Sequence, residues 1–214
     1  MEMMELPRPE PGPGELLVRV RAAGVNPLDY KIRDGAVKVL LSFSFPLVLG
    51  TDLAGDVEAI GPGVTKFKLG DAVYSRLDND RIGAFAEYAL VRERAAARMP
   101  ARLDYAQAAS LPLVGLTAWQ ALIELARLRA GQKVLIHAGS GGVGTFAIQL
   151  AKHLGAQVAT TAGLRNHALV KSLGADVVID YQTTPFEAVA KDQDVVLDTQ
   201  GGDTLLRSFK AVKP

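Results

Sequence analysis

The sequence predicts an α/β protein in which a β-rich region precedes a parallel, doubly wound sheet. Three observations carry this expectation. A strand, a glycine turn and a helix follow one another over residues 131–155; strands and helices alternate from Lys133 onward; and the stretch before residue 104 holds short strands separated by turn residues. The 214 residues are 49% hydrophobic with a net charge of +1, enough to bury a core and without the basic stripe that nucleic acid requires. There is no cysteine, which excludes disulfides, thiol catalysis and cysteine-ligated zinc.

Taken in order, residues 5–14 form a proline-rich extended lead-in, and 16–22 alternate as a strand would. Gly24 to Gly35 (G-V-N-P-L-D-Y-K-I-R-D-G) reads as turn-rich. Val37 to Gly50 is apolar but interrupted by Ser42, Ser44 and Pro46, so no membrane span is expected there. Further strands are expected at 51–60, closed by Gly61-Pro62-Gly63, at 71–75 and at 85–91. The character changes after Leu103, which sets the expected domains at 1–103 and 104–214. Residues 104–130 are rich in alanine and leucine, with Pro112 and Gly115 breaking the segment before a helix that runs toward Arg129. Strands are then expected at 133–137, 157–161, 176–180 and 194–198, and helices near 143–154, 166–173, 184–190 and 203–210.

Chemistry enters with the turn Ala138-Gly139-Ser140-Gly141-Gly142-Val143-Gly144, which spaces Gly139, Gly141 and Gly144 as G-x-G-x-x-G. A strand turning tightly into a helix aims unpaired backbone N–H groups and the positive end of the helix dipole at one point, where a pyrophosphate fits. Gly139 is expected to permit the turn, Gly141 to let phosphate approach, and Gly144 to allow close helix–strand contact. From Val143 the apolar residues Phe146, Ala147, Leu150, Ala151 and Leu154 give the helix one buried face. An NAD-preferring site places a carboxylate at the end of the second strand; this chain has Thr160-Thr161-Ala162-Gly163-Leu164-Arg165-Asn166 there. Arg165 is either a partner for the 2′-phosphate of NADP or an ordinary solvated arginine. Gln200, after the last strand, lies where ligands bind by topology or in a simple turn.

The run G-Q-x-x-L, three residues, G-S-G-G-x-G, four residues, then Gln149 and Lys152, resembles the signature of quinone oxidoreductases related to zeta-crystallin, within the medium-chain dehydrogenase/reductase superfamily. The resemblance implies a GroES-like catalytic domain followed by a Rossmann domain that binds NADP(H). It implies cofactor contacts at Thr117 and at Tyr181, which matches a family tyrosine that grips the 2′-phosphate; Ser140, Gly142 and Val143 in the turn, Thr161 at the end of the second strand and Gly163 just after it are further cofactor-binding candidates. Thr117 is open to the other reading of a helix residue bonded to its own backbone. Relative to the family both ends look short, by on the order of 100 residues at the C-terminus, and the edge through which full-length relatives dimerise would lie beyond Pro214.

Zinc-dependent relatives carry a G-H-E motif where this chain has Gly50-Thr51-Asp52, so no metal site is expected. His137, His153 and His167 stand at unrelated spacings and are read as structural. On the substrate side, V-N-P-L-D-Y-K-I-R-D-G resembles a motif of NADPH-dependent enone and alkenal reductases. Asn26 would orient the nicotinamide or a substrate oxygen, Lys31 would donate to that oxygen or to the ribose, and Asp29 would hold the loop; otherwise Pro27 and Asp29 build a turn and Lys31 is solvated. The expected activity is a zinc-independent, NADPH-dependent reduction of quinones or α,β-unsaturated carbonyls. A non-catalytic NADPH-binding protein is the alternative, and an enoyl-thioester reductase is a weaker one, because Ala36-Val37-Lys38-Val39 lacks the tyrosine those enzymes use. The expected partner is a small molecule, with no nucleic acid or membrane, in the cytoplasm.

Overall fold

The computed structural model describes residues 2–39, 43 and 45–213. Leu40, Leu41, Ser42 and Ser44 of the interrupted apolar segment, together with Met1 and Pro214, lie outside the described residues. Among the described residues no helix is long and apolar enough to cross a membrane.

The first unit is built on an antiparallel five-stranded sheet. Its strands are β1 (Glu15–Gly24), β2 (Asp52–Ile60), β3 (Ala72–Arg76), β4 (Tyr88–Arg92) and β5 (Ala96–Arg98), in the order β4-β1-β2-β3-β5. Leu16, Val18, Leu53, Val57, Val73 and Val91 fill its core with Phe67 and Leu77. Gly55 sits where a Cβ would come within 2.8 Å of the Val18 side chain, so only glycine lets β1 and β2 pair there. β5 was not expected: three residues paired to β3 carry too little alternation to announce themselves.

The segment 24–35, expected as a turn, contains helix α1 (Pro27–Arg33). Its start signals are in the sequence. Asn26 precedes a proline at the first helical position, and the Asp29 carboxylate accepts the Asn26 N–H at 2.7 Å. Helix α2 (Tyr105–Ala109) buries Ala108 and Ala109 against Ala54. The compact units divide as residues 1–113 and 114–214, so the difference from the boundary expected after Leu103 is the stretch that contains α2.

Helix α3 (Pro112–Trp119) starts on its proline and continues in a wider π-helical turn, Gln120–Leu125. Gly115 does not break it. The Phe146 ring lies against that glycine, 3.4 Å from where a Cβ would be, and packing fixes the helix in spite of propensity.

The second unit's sheet is parallel, with β6 (Lys133–Ile136), β7 (Gln157–Thr161), β8 (Val177–Ile179) and β9 (Val195–Leu197) in the order β8-β7-β6-β9. Helices α4 (Gly142–His153), α5 (His167–Ser172), α6 (Phe186–Val189) and α7 (Gly202–Ser208) alternate with them. Val134 and Ile136 point to one face, with Ala147, Ile148 and Ala151 of α4; Leu135 points to the other, with Phe186 and Ala190. Chain order reverses between β6 and its two neighbours, β7 and β9, so the switch point lies at the C-terminal end of β6.

Candidate functional site

The glycine turn stands at that switch point. Gly141 caps α4, and Gly142, Val143 and Gly144 form its first turn, so their N–H groups have no acceptor within the helix. The Val143 side chain packs against the core, which leaves its backbone as the part offered to a ligand. Handedness comes from an unexpected residue. Ala138 carries the positive φ of 52°, whereas Gly139, Gly141 and Gly144 do not have positive φ. Gly139 is required instead by crowding, since a Cβ there would lie 3.1 Å from Ile148 Cδ1 and against the Thr160 side chain. At Gly144 a Cβ would lie 2.7 Å from the Gly139 Cα. A Cβ at Gly141 meets only the Ala138 carbonyl, at 3.3 Å, which makes this glycine the open side of the turn.

The end of β7 forms a second part of the same site. Asn166 Nδ2 donates to Ser140 Oγ at 3.1 Å and ties the loop after β7 to the glycine turn. Arg165 is exposed, takes part in no ion pair among the described residues, and has no carboxylate beside it in the loop. Tyr181, 60% exposed, lies beside Gly163, whose Cβ position is 3.8 Å from the phenol oxygen. Gly163, Arg165 and Tyr181 thus leave room and donors for an anion. Thr161 is different from its expected role: its hydroxyl is buried, accepts the Ala138 N–H at 3.0 Å and meets His137 Nδ1 at 3.2 Å. It shapes the turn from beneath and is not turned outward to a ligand.

After β9, Asp198 Oδ1 accepts the N–H groups of Gln200 (2.6 Å) and Gly201 (3.1 Å), and the exposed Gln200 side chain donates to Thr199. Two successive glycines at φ 71° and 56° then start α7. Thr117, half-buried, lies on α3 three residues beyond Val114, and the Val114 side chain packs at Gly142.

In the first unit the structure joins Asn26 to Thr51 and Asp52, which the sequence marked only as lacking a zinc motif. Asn26 Nδ2 donates to Asp52 Oδ2 at 3.0 Å and lies 3.4 Å from Thr51 Oγ1, and the Leu113 N–H donates to the same Asp52 oxygen at 3.0 Å. Asp52 is 1% exposed, and burial pushes its carboxyl up to about 6 against the pull of Asn26 and the Leu113 N–H. Burial also raises Asp29, offset in part by the N–H groups of Asn26 and Gly50. Asp29 Oδ1 and Asp52 Oδ1 are buried without hydrogen-bond partners. The donors of Asn26 are therefore committed, and the expectation that it orients a substrate oxygen is corrected: its own oxygen remains only as an acceptor, which suits a nicotinamide N–H and not a substrate oxygen. Lys31 is exposed and is not brought to Asn26 or Asp29 by any hydrogen bond or ion pair. This donor set also does not suit zinc, since an amide already donating and a hydroxyl stand where thiolate or imidazole would be needed. Among the described residues no three metal-ligating side chains cluster.

An antiparallel β unit followed by a doubly wound unit with a phosphate-shaped turn at its switch point defines a dinucleotide-dependent dehydrogenase architecture. Residues 12–101 match the alcohol dehydrogenase GroES-like domain family, and residues 142–214 match the family described as zinc-binding dehydrogenase. The chain is 40% identical over 211 residues to the chloroplast envelope quinone oxidoreductase homolog of Arabidopsis thaliana, covering 94% of this chain and 64% of that protein. It is 40% identical over 201 residues to the NADPH-dependent alkenal/one oxidoreductase of the same organism, covering 90% of this chain and 52% of that protein. The solved quinone oxidoreductase of Coxiella burnetii matches with a TM-score of 0.90 at 40% identity, over 99% of this chain and 68% of that one. The chain belongs to the medium-chain dehydrogenase/reductase superfamily, in its quinone oxidoreductase branch. It spans 57% to 64% of the length of the curated quinone oxidoreductase relatives it matches.

Proposed function

We propose that this chain is part of a zinc-independent oxidoreductase that uses NADPH to reduce quinones or α,β-unsaturated carbonyls. The observation that carries the reading is the second unit's site: free first-turn N–H groups at Gly142 to Gly144, an open side at Gly141, and Arg165 with Tyr181 where an NAD-preferring fold has a carboxylate. The relatives named as quinone and alkenal/one oxidoreductases support it.

The bound nicotinamide would supply hydride to an electron-poor carbon or quinone oxygen. The chain's own residues bind and orient. The α4 N-terminus holds the pyrophosphate, Arg165 and Tyr181 hold the 2′-phosphate, and Thr117 and Gln200 complete the cofactor contacts. On the substrate side, Asn26 Oδ1 accepts from an amide N–H, Asp29 holds the Asn26 backbone, and Lys31 donates to the oxygen that gains charge. A cytoplasmic location and a small-molecule partner complete the proposal.

The test is NADPH oxidation in the presence of a panel of quinones and enones. Substrate-dependent turnover supports the reading, whereas NADPH binding without turnover favours a binding protein. Lys31→Ala is expected to lower kcat by about tenfold or more if Lys31 meets the developing oxyanion. An unchanged kcat removes it from the mechanism. Arg165→Ala is expected to weaken NADPH binding by about ten- to a hundredfold while leaving NADH binding nearly unchanged. Parallel titrations of the two cofactors check this, and an equal loss for both cofactors would show that Arg165 does not read the 2′-phosphate.

A further inference from the structure

Beneath the glycine turn, His137 is 2% exposed and lies between two hydroxyls, Thr161 Oγ1 at 3.2 Å from Nδ1 and Ser208 Oγ at 3.1 Å from Nε2. The proton positions follow from counting hydrogens. Ser208 already donates its single hydroxyl hydrogen to the Thr204 carbonyl at 2.8 Å, so toward His137 it accepts, and Nε2 carries the hydrogen. Nδ1 of the neutral ring is then an acceptor and takes the Thr161 O–H. That leaves the Thr161 oxygen to accept the Ala138 N–H at 3.0 Å. The chain of hydrogen bonds thus runs in one direction, from Ala138 through Thr161, His137 and Ser208 to Thr204. It starts at the one residue of the turn that is held in the left-handed region without being glycine.

We propose that His137 is a positioning residue for the dinucleotide site, which in its neutral Nε2–H form orients the Thr161 hydroxyl that holds the Ala138 peptide in the turn, and weakens that hold when the ring gains a second proton. This rests on the reading of the turn as the cofactor site. The second proton must go to Nδ1, where it points at the Thr161 oxygen. Thr161 must then turn its own hydrogen away, and its oxygen divides its acceptance between the imidazolium and Ala138.

The charges around the ring decide how readily this occurs. Burial is the largest influence and lowers the pKa of His137; Arg207 of α7 acts in the same direction, and Asp198 and Glu187 act against both. Glu187 is engaged by Arg207 at 2.9 and 2.6 Å, and Asp198 Oδ1 accepts from two backbone N–H groups while its Oδ2 is buried without a partner. The Phe186 ring, edge-on at 4.4 Å, adds no charge. The neutral ring is therefore the folded form at neutral pH, and the turn loosens only on acidification.

The experiment is titration of NADPH into the protein and its His137→Asn, His137→Leu and Thr161→Val variants from about pH 8 to about pH 5, with thermal melting of each as the control for folding. His137→Asn places an uncharged acceptor near the Nδ1 position and is expected to bind at neutral pH within about threefold of the parent. Its affinity should lose the part of the acid decline that His137 causes, which approaches tenfold per pH unit below the histidine's pKa. Any slope that the His137→Asn variant keeps is that of the ligand's own phosphate. His137→Leu and Thr161→Val, which remove an acceptor, should bind about tenfold or more weakly at every pH.

Imidazole nitrogen NMR shifts of the parent must report the Nε2–H tautomer. The Nδ1–H tautomer, or identical pH profiles for the parent and His137→Asn, overturns the proposal. Should the folded parent fail to bind NADPH at any pH, the cofactor reading itself is what fails.

Discussion

Asp52→Asn is expected to stabilise the protein by about 2–3 kcal/mol at neutral pH. Burial raises the folded-state pKa of Asp52 from 3.8 to about 6, and a tenfold change in proton affinity between the two states is worth about 1.4 kcal/mol. With the folded pKa above the unfolded one, the favourable contribution is fully present below about pH 4 and is lost as pH rises through about 6. The parent and the variant should therefore match in strongly acid solution, diverge between about pH 4 and about pH 6, and stay apart at higher pH. Geometry is kept, because the introduced amide oxygen accepts from Asn26 and Leu113 as the carboxylate does, and either side chain leaves one buried atom without a partner. Chemical denaturation across this range checks the result. A variant less stable than the parent at neutral pH would mean that the charge at Asp52 is welcomed by its surroundings. His137 acts with the opposite sign: its lowered pKa withdraws stability as pH falls below its ordinary value of 6.5.

Gly144→Val and Gly141→Ala should separate the fold of the turn from its function. At Gly144 the new side chain starts 2.7 Å from the Gly139 Cα and against the Ala138 carbonyl, which are backbone and cannot swing aside. A loss of about 3 kcal/mol or more is expected, together with at least about a hundredfold loss of NADPH affinity as the N–H groups move off the pyrophosphate. Gly141 has φ −81° and ψ 171°, open to alanine, and its Cβ meets one carbonyl at 3.3 Å. The expected stability change is therefore below about 1 kcal/mol, while a methyl group on the open side blocks the phosphate and weakens NADPH by about tenfold or more. Thermal melting with NADPH titration distinguishes the two. Equal melting losses would put Gly141 in the packing, and undiminished affinity in Gly141→Ala would place the ligand elsewhere.

The parallel sheet and its turn were legible because a buried strand, spaced glycines and a periodic helix are local signals. Val134–Ile136, Gly139–Gly144 and the Phe146–Leu150 face stand next to one another in the chain. What the residues do there is less legible. Gly139 reads as a conformational glycine and is a packing one, since the side chains that require it, Thr160 and Ile148, lie on other elements. Thr161 reads as a ligand contact, but its hydroxyl is drawn inward by Ala138 and His137. Asp52 could not be found from spacing, because its partners Asn26 and Leu113 lie 26 and 61 residues away and meet it only through the antiparallel sheet and the chain after it. Helix α1 is the exception: Asn26, Pro27 and Asp29 spell its start within four residues, and the turn-like composition hides it.

The turn at Gly139–Gly144, with Arg165 and Tyr181, is proposed here as an NADP site. Side-by-side titration of the 214-residue chain with NADPH and NADH tests it most directly. NADPH is expected to bind about tenfold or more tightly than NADH, and the preference is expected to disappear in Arg165→Ala. NADH binding as tight as NADPH, or binding of neither by the folded chain, would contradict it.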